Sequence, residues 1–170
     1  MRKNRKPKMT RETVPEGFTL SLVLIDALPV LFFCASMIVI GRLFSSRLFL
    51  VGAVLCLLAG GAKVLWKAIV VLRKKNVWFL FLQMRILMPI RFALMVLSLI
   101  VNRSAISLAG IGAAFMRMPS MAFFLIGILG MVLMMVFAAK LDSGDVKANW
   151  IEQLTNGIAQ AAFFVGLLLL

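Results

Sequence analysis

The sequence predicts an all-α polytopic membrane protein, a helical bundle of five transmembrane helices within a range of four to six. Three observations predict this fold class. Apolar residues make up 63% of the 170 residues, above the roughly 45–50% that is typical of soluble domains. These residues fall into runs of about 20, the length that crosses a bilayer. Most of the charged residues, 19 basic and 6 acidic in total, stand between or before those runs.

The apolar runs divide the chain into a basic tail, residues 1–17, and one transmembrane domain, residues 18–170. The first run is too long for the apolar region of a signal peptide, so we expect it to be a retained span. A short segment, residues 102–118, is expected to be interfacial or re-entrant. The predicted spans cover residues 18–40, 48–72, 77–101, 119–140 and 149–170.

The third span is the least regular, because it contains Gln83, Arg85, Pro89 and Arg91. Polar residues and a proline are unfavourable inside a membrane helix unless protein or water satisfies them. An alternative therefore places residues 77–85 along the interface and shifts the span to residues 88–112.

Basic residues predict the orientation. With the N-terminus inside, eleven basic residues lie on the inner side: six in the tail, three at 73–75, and Lys140 and Lys147. The outer side then carries four, at positions 42, 47, 103 and 117. The positive-inside rule therefore predicts a cytoplasmic N-terminus in the cytoplasmic (inner) membrane. The basic clusters are expected to contact anionic headgroups of the lipid bilayer and no nucleic acid.

Ionisable residues within the spans are the candidates for a binding site, because each is costly in a membrane unless it is paired, hydrated or near the interface. At 1.5 Å per residue, Asp26, Lys63 and Arg85 are predicted to share one layer. Lys67 and Glu152 are predicted to form a second layer, about 6 Å closer to the cytoplasm. The complete set is Asp26, Lys63, Lys67, Arg85, Arg91 and Glu152.

Three interpretations of these residues stay open. The first is a polar, net-positive cavity in the inner half of the membrane, which suits an anionic solute or a lipid phosphate. In the second, Asp26 pairs with a basic residue to hold the helices together while the lysines extend to the interface. In the third, Asp26 alone couples to proton movement, and Pro29 loosens the helix beside it.

The last span carries a polar stripe on one helix face, with steps of four and three residues. The stripe consists of Asn149, Glu152, Gln153, Asn156 and Gln160. It could line a binding pocket or hydrogen-bond to neighbouring helices, since lipid satisfies no polar group. As a third alternative, its first turns lie among the headgroups with Trp150 as an anchor.

Small residues at steps of three and four favour close helix contacts. They are Gly52, Cys56 and Gly60 on the second span, Gly127 and Gly130 on the fourth, and Ala162 and Gly166 on the fifth. Cys34 and Cys56 lie within apolar runs, where a thiol usually packs as a small apolar residue. A structural disulfide is therefore not implied.

The chain has no histidine, which excludes Ser-His and Cys-His relays and histidine-ligated metals. We expect no enzyme activity, cofactor or metal. The predicted function is a solute-binding or transport component, alone or as a homo-oligomer. The alternative is an accessory subunit of a larger membrane complex, docked through its small-residue faces and the four leucines that end the chain. The predicted ligand-binding residues are Asp26, Lys63, Lys67, Arg85, Arg91, Glu152, Asn156 and Gln160.

The binding hypothesis makes one direct prediction. We expect Arg85→Gln or Glu152→Gln to impair ligand binding and leave the fold intact. If both variants only unfold, the charges are structural.

Overall fold

The computed structural model describes residues 14–43, 46–103, 108–141 and 145–170, and the described chain is all-helical. Three stretches are long and apolar enough to cross a membrane: Leu20–Gly41, Arg47–Arg73 and Ser120–Phe137. The all-helical prediction is confirmed, whereas the count of five spans and the orientation stay predictions. The helices are α1 (Leu20–Leu43), α2 (Arg47–Arg73), α3 (Trp78–Val101), α4 (Leu108–Phe115), α5 (Ser120–Lys140) and α6 (Val146–Leu168).

Side-chain caps fix the starts of three helices. Thr19 Oγ1 accepts a hydrogen bond from Leu22 N at 3.3 Å at the start of α1. Ser46 Oγ accepts from Phe49 N in the first turn of α2, and Asp145 Oδ1 accepts from Lys147 N at 2.9 Å before α6. Each cap satisfies a backbone N–H that the first helical turn leaves without a partner.

The long helices pack in a row that differs from their order along the chain. Extensive contacts join α3 to α2, α2 to α1, α1 to α6 and α6 to α5. The row is therefore α3–α2–α1–α6–α5, with α1 at its centre. Helix α4 packs on α5, where Phe115 stacks on Phe124 with ring centroids 4.3 Å apart. The prediction that residues 102–118 are interfacial or re-entrant stays open, and residues 104–107 lie outside the described chain.

One end of the row brings together the starts of α1 and α6 and the end of α2. Phe18, Leu22, Trp66 and Val70 form a buried apolar cluster there, and Val146 and Trp150 pack against it. We call this the basic end, because its exposed side chains include those of Arg73, Lys74, Lys75, Lys140 and Lys147.

At the opposite end, α2 begins beside the end of α3. Asn102 Nδ2 donates to Ser46 Oγ at 3.1 Å, and the hydroxyls of Ser46 and Ser98 lie 3.2 Å apart. Toward the basic end, Gln83 Nε2 donates to the Ala59 carbonyl oxygen at 3.2 Å. Polar contacts therefore join α2 and α3 at two well-separated levels.

Polar and apolar side chains are distributed in the reverse of a soluble protein. The largest fully buried side chains include Lys67 and Gln153, each 1% exposed. Leu24 and Leu129, by contrast, are 69% and 64% exposed. This distribution suits a lipid environment, in which apolar side chains face outward and polar groups must be satisfied by protein.

Glycines mark the closest helix contacts, as the small-residue pattern predicts. A Cβ added to Gly60 would lie 2.9 Å from Val30 Cγ2, and one on Gly130 would lie 2.6 Å from Ala159 Cβ. Gly127 lies against the Phe163 ring in the same way. The absence of a side chain at these positions lets α2 approach α1 and α5 approach α6.

Candidate functional site

The candidate site is a cluster of charged side chains from three neighbouring helices. Asp26 projects from α1, Lys63 and Lys67 from α2, and Glu152 from α6. Three of these residues stand at the same distance from the helix terminus that lies at the basic end. The distance is six residues, or about 9 Å along the axis, for Asp26, Lys67 and Glu152. We call these four residues the charge cluster.

The carboxylate of Asp26 bridges both lysines. Its Oδ2 atom lies 3.3 Å from Lys67 Nζ, and its Oδ1 atom lies 3.6 Å from Lys63 Nζ. The side chains of Asp26 and Lys67 are 2% and 1% exposed, whereas that of Lys63 is 29% exposed. One lysine is therefore enclosed, and the other connects the cluster to the surroundings.

The predicted separation of Lys67 from Asp26 into two layers is wrong for the side chains. The predicted depths were measured from the midpoints of the predicted spans. Counted from the observed helix ends at the basic end, Asp26 and Lys67 stand at the same level. Their charged atoms are 3.3 Å apart, so the two predicted layers are one.

An apolar wall surrounds the buried ion pair. Leu22, one turn before Asp26, is fully buried, and Trp66 and Val70 flank Lys67 along α2. Lys67 Nζ lies 5.8 Å from the centroid of the Phe18 ring, within the distance of a cation–π interaction. The wall excludes water from the ammonium and so strengthens its attraction to Asp26.

Glu152 adds a second carboxylate from α6. It is half-buried and interacts electrostatically with Lys63, Lys67 and Asp26. The four described groups therefore balance as two lysines and two carboxylates. A net-positive site needs the additional arginines of α3.

Those arginines were predicted to be Arg85 and Arg91, and their side chains lie outside the described part of the structure. Helix α3, which carries both, packs on the α2 side of the row. Their assignment as ligand contacts stays a prediction.

The polar stripe of α6 lies against protein in its first turns. Asn149 and Gln153 are buried, whereas Asn156 and Gln160 are half-buried. Asn149 Nδ2 donates to the Asp145 carbonyl oxygen at 3.0 Å, and Gln160 Nε2 lies 3.6 Å from Met131 Sδ. Gln153 Nε2 is buried and has no hydrogen-bond partner among the described residues.

The predicted ligand-binding residues include neither Gln83, which was noted only as a polar residue of the third span, nor Gln153, which belongs to the predicted polar stripe. Both are buried, and both occupy faces that pack against a neighbouring helix. Identifying these faces requires knowing which helices are neighbours, and the apolar pattern alone does not give this.

The charge cluster can bind a group that accepts hydrogen bonds. An ammonium has three N–H donors, and Lys67 Nζ has an ion pair to Asp26 but no well-aligned hydrogen bond within the described chain. An oxygen of a phosphate or carboxylate would satisfy such donors.

No family model, curated protein or solved structure matches this chain.

Proposed function

We propose that the protein is a non-enzymatic multi-pass membrane protein that binds an anionic solute or a lipid headgroup at the charge cluster. One observation carries the proposal: Lys67 is buried, and its ammonium has more N–H donors than its ion pair with Asp26 uses. It lies beside Lys63, which is 29% exposed. Lys63 is the cluster's contact with the surroundings, where an anion would bind first, and Lys67, which shares the Asp26 carboxylate with it, has further N–H donors. Arg85, Arg91, Asn156 and Gln160 remain proposed contacts of the same ligand.

The proposal includes five membrane-spanning helices. Helix α3 contacts α2 from the level of Gln83 and Ala59 to that of Asn102 and Ser46. It therefore extends through much of the same thickness as α2, which is apolar enough to span. Helix α6 likewise runs from Trp150 at the basic end to a contact between Phe164 and Phe32 of α1.

The proposal places the basic end at the cytoplasmic face of the cytoplasmic membrane. Lysines and arginines concentrate in cytoplasmic loops, and the exposed basic side chains of α2, α5 and α6 share this end. A ligand at the charge cluster would then enter from the cytoplasm or from the inner leaflet, whose anionic lipids the same residues attract.

Native mass spectrometry tests the proposal on protein extracted in mild detergent from its own membranes. The expected result is a small-anion or lipid adduct that Lys63→Gln removes and the matched control Lys140→Gln retains. Lys140 is exposed at the same end but outside the charge cluster. The adduct mass distinguishes a solute from a lipid. If no adduct of the wild-type protein is lost in Lys63→Gln, the cluster is excluded as a binding site.

A second candidate function is that of a subunit in a homo-oligomer or a larger membrane complex. The row arrangement favours it, because α3 and α5 each have extensive contacts with only one long helix in the described chain. Their remaining surfaces are available to lipid or to another protein. A second protein in stoichiometric amount in the same mass spectrum would support this function and reduce the charge cluster to a structural element.

A further inference from the structure

A cavity lies in the half of the molecule that faces away from the basic end. It has a volume of about 370 Å³ and lies between the last turns of α1 and the first turns of α2. The lining side chains are apolar: Cys34, Met37 and Ile38 from α1, and Phe49, Leu50, Ala53, Val54 and Leu57 from α2, with Gly41 completing the wall. We call this cavity the α1–α2 groove.

The shape of the groove follows from the contact that closes it. The two helices touch where Gly60 meets Val30, and the groove begins about one turn beyond, at Cys34 and Leu57. Helices in contact have axes 8–10 Å apart, and a further helix is about 10 Å wide. A third helix is therefore too wide to enter this wedge, whereas a single hydrocarbon chain is narrow enough.

The mouth of the groove carries a positive charge. Arg47, the first residue of α2, is exposed and precedes the lining residues Leu50 and Val54 by three and seven residues. This spacing places all three on one helix face. The arginine therefore stands at the level where the headgroup of a lipid would lie if its chain followed that face, and a guanidinium binds phosphate through paired hydrogen bonds.

We propose that the α1–α2 groove is a binding site for a phospholipid with an anionic headgroup. One acyl chain occupies the groove, and the phosphate contacts Arg47. This site is separate from the charge cluster, because the two lie on opposite sides of the Gly60–Val30 contact along α1 and α2. It stands whether or not the charge cluster binds a ligand.

The groove offers a matched pair of glycines for the test. A Cβ on Gly41 or on Gly61 would meet no atom within 4 Å, so both positions accept a larger residue without a backbone clash. Gly41 lines the groove, whereas Gly61 is an exposed position of α2 outside it. Gly41→Leu fills the groove, and Gly61→Leu is the control for an added leucine.

The measurement is native mass spectrometry of the purified full chain with added phosphatidylglycerol or phosphatidylcholine. We expect the wild-type protein and Gly61→Leu to retain one phosphatidylglycerol, and Gly41→Leu to lose it. Arg47→Gln should lose the preference for phosphatidylglycerol over phosphatidylcholine, whereas Arg73→Gln, at the other end of α2, should keep it. Lys140→Gln, which lies at neither site, should leave retention unchanged. The adduct that Lys63→Gln removes should persist in Gly41→Leu, so failure of the groove is distinguishable from failure of the charge cluster. Equal retention by the two leucine variants would overturn the proposal.

Cross-linking of the wild-type protein gives a second readout that does not depend on how the variants fold. Phosphatidylglycerol with a diazirine on its acyl chain should label residues 34–41 and 49–57 in preference to α5. Even labelling of the three helices would reduce the bound lipid to ordinary bilayer contact. A disulfide between Cys34 residues of two copies in membranes would show that a second copy covers the groove, and would also overturn the proposal.

Discussion

Asp26 on α1 holds the ammonium of Lys67 on α2 at 3.3 Å, and both side chains are almost completely buried. Such a pair contributes little net stability compared with apolar residues of the same volume, because desolvation offsets the attraction. Breaking it by removing one partner is costly, because the other charge stays buried without compensation. These two properties make the pair a sensitive probe of what the charge cluster is for.

We expect Asp26→Asn to lower the free energy of unfolding by about 3–5 kcal/mol, because it leaves Lys67 buried and uncompensated. The double variant Asp26→Leu/Lys67→Met should recover most of this loss, since it removes both charges. Unfolding in mixed detergent micelles measures the free energy of unfolding of the single variant and of the double variant. A double variant that folds well but loses the adduct of the native protein would assign the pair to binding. Equal destabilisation of the single and double variants would contradict the expected compensation.

Lys63→Met should be much milder, changing the free energy of unfolding by about 1 kcal/mol or less. The Lys63 side chain is 29% exposed and lies 3.6 Å from Asp26, and its removal leaves Asp26 paired with Lys67 at 3.3 Å. The same unfolding assay gives the comparison with Lys67→Met. Equal effects of the two lysine variants would show that exposure does not distinguish them.

Gly130→Ala should destabilise the contact of α5 with α6 by about 1–3 kcal/mol, the usual effect of overpacking. The added methyl group would lie 2.6 Å from Ala159 Cβ. Ala159→Gly removes that methyl group, so Gly130→Ala/Ala159→Gly should restore much of the stability. The double-mutant cycle measures this coupling directly. Additive effects of the two substitutions would exclude a direct contact.

Replacing the two buried glutamines with leucine, one at a time, should change the stability of the protein in opposite directions. Gln83 Nε2 donates to the carbonyl oxygens of Ala59 and Leu80, so Gln83→Leu should cost about 0.6–2 kcal/mol. Gln153 Nε2 is buried without a partner in the described chain, so Gln153→Leu should be neutral or stabilising by about 1 kcal/mol in ligand-free protein. Thermal unfolding in detergent compares the two. Destabilisation by both would indicate that Gln153 has a partner.

Single cysteines test the arrangement of the helix ends. In a background with Cys34 and Cys56 replaced by alanine, Lys74→Cys and Lys147→Cys should react with an impermeant maleimide from the same side of the membrane. Arg103→Cys should react from the other side. This pattern follows if α3 and α5 both cross. Reaction of Lys74→Cys and Arg103→Cys from one side would show that α3 does not cross.

Apolar run length predicted the helices closely, because a hydrophobic stretch between charged or capping residues defines its own limits. The third predicted segment, residues 77–101, corresponds to α3 at Trp78–Val101. Counting residues also predicted that Asp26 and Lys63 lie at one level, and the two side chains are paired.

Which helices pack side by side could not be predicted from the sequence. The packing of α6 on α1 joins two helices more than a hundred residues apart, and no local pattern gives that pairing. The ion pair of Lys67 with Asp26 depends on where α1 and α2 end and on which of their faces meet, and the predicted span limits did not give this. The burial of Gln153 depends on which face of α6 meets its neighbours. These features come from packing between helices.

The pairing of Asp26 with lysines of the very next helix also bears on how the chain enters a membrane. Leu20–Gly41 and Arg47–Arg73 are consecutive, and they form an antiparallel hairpin with the opposite charges facing each other. Each helix alone would bring unpaired charge into the lipid, but the hairpin neutralises most of it internally. Under the proposed membrane arrangement, the first two helices are therefore expected to insert together as one unit, with the Asp26 carboxylate already paired with the lysines of α2 before α6 is synthesised.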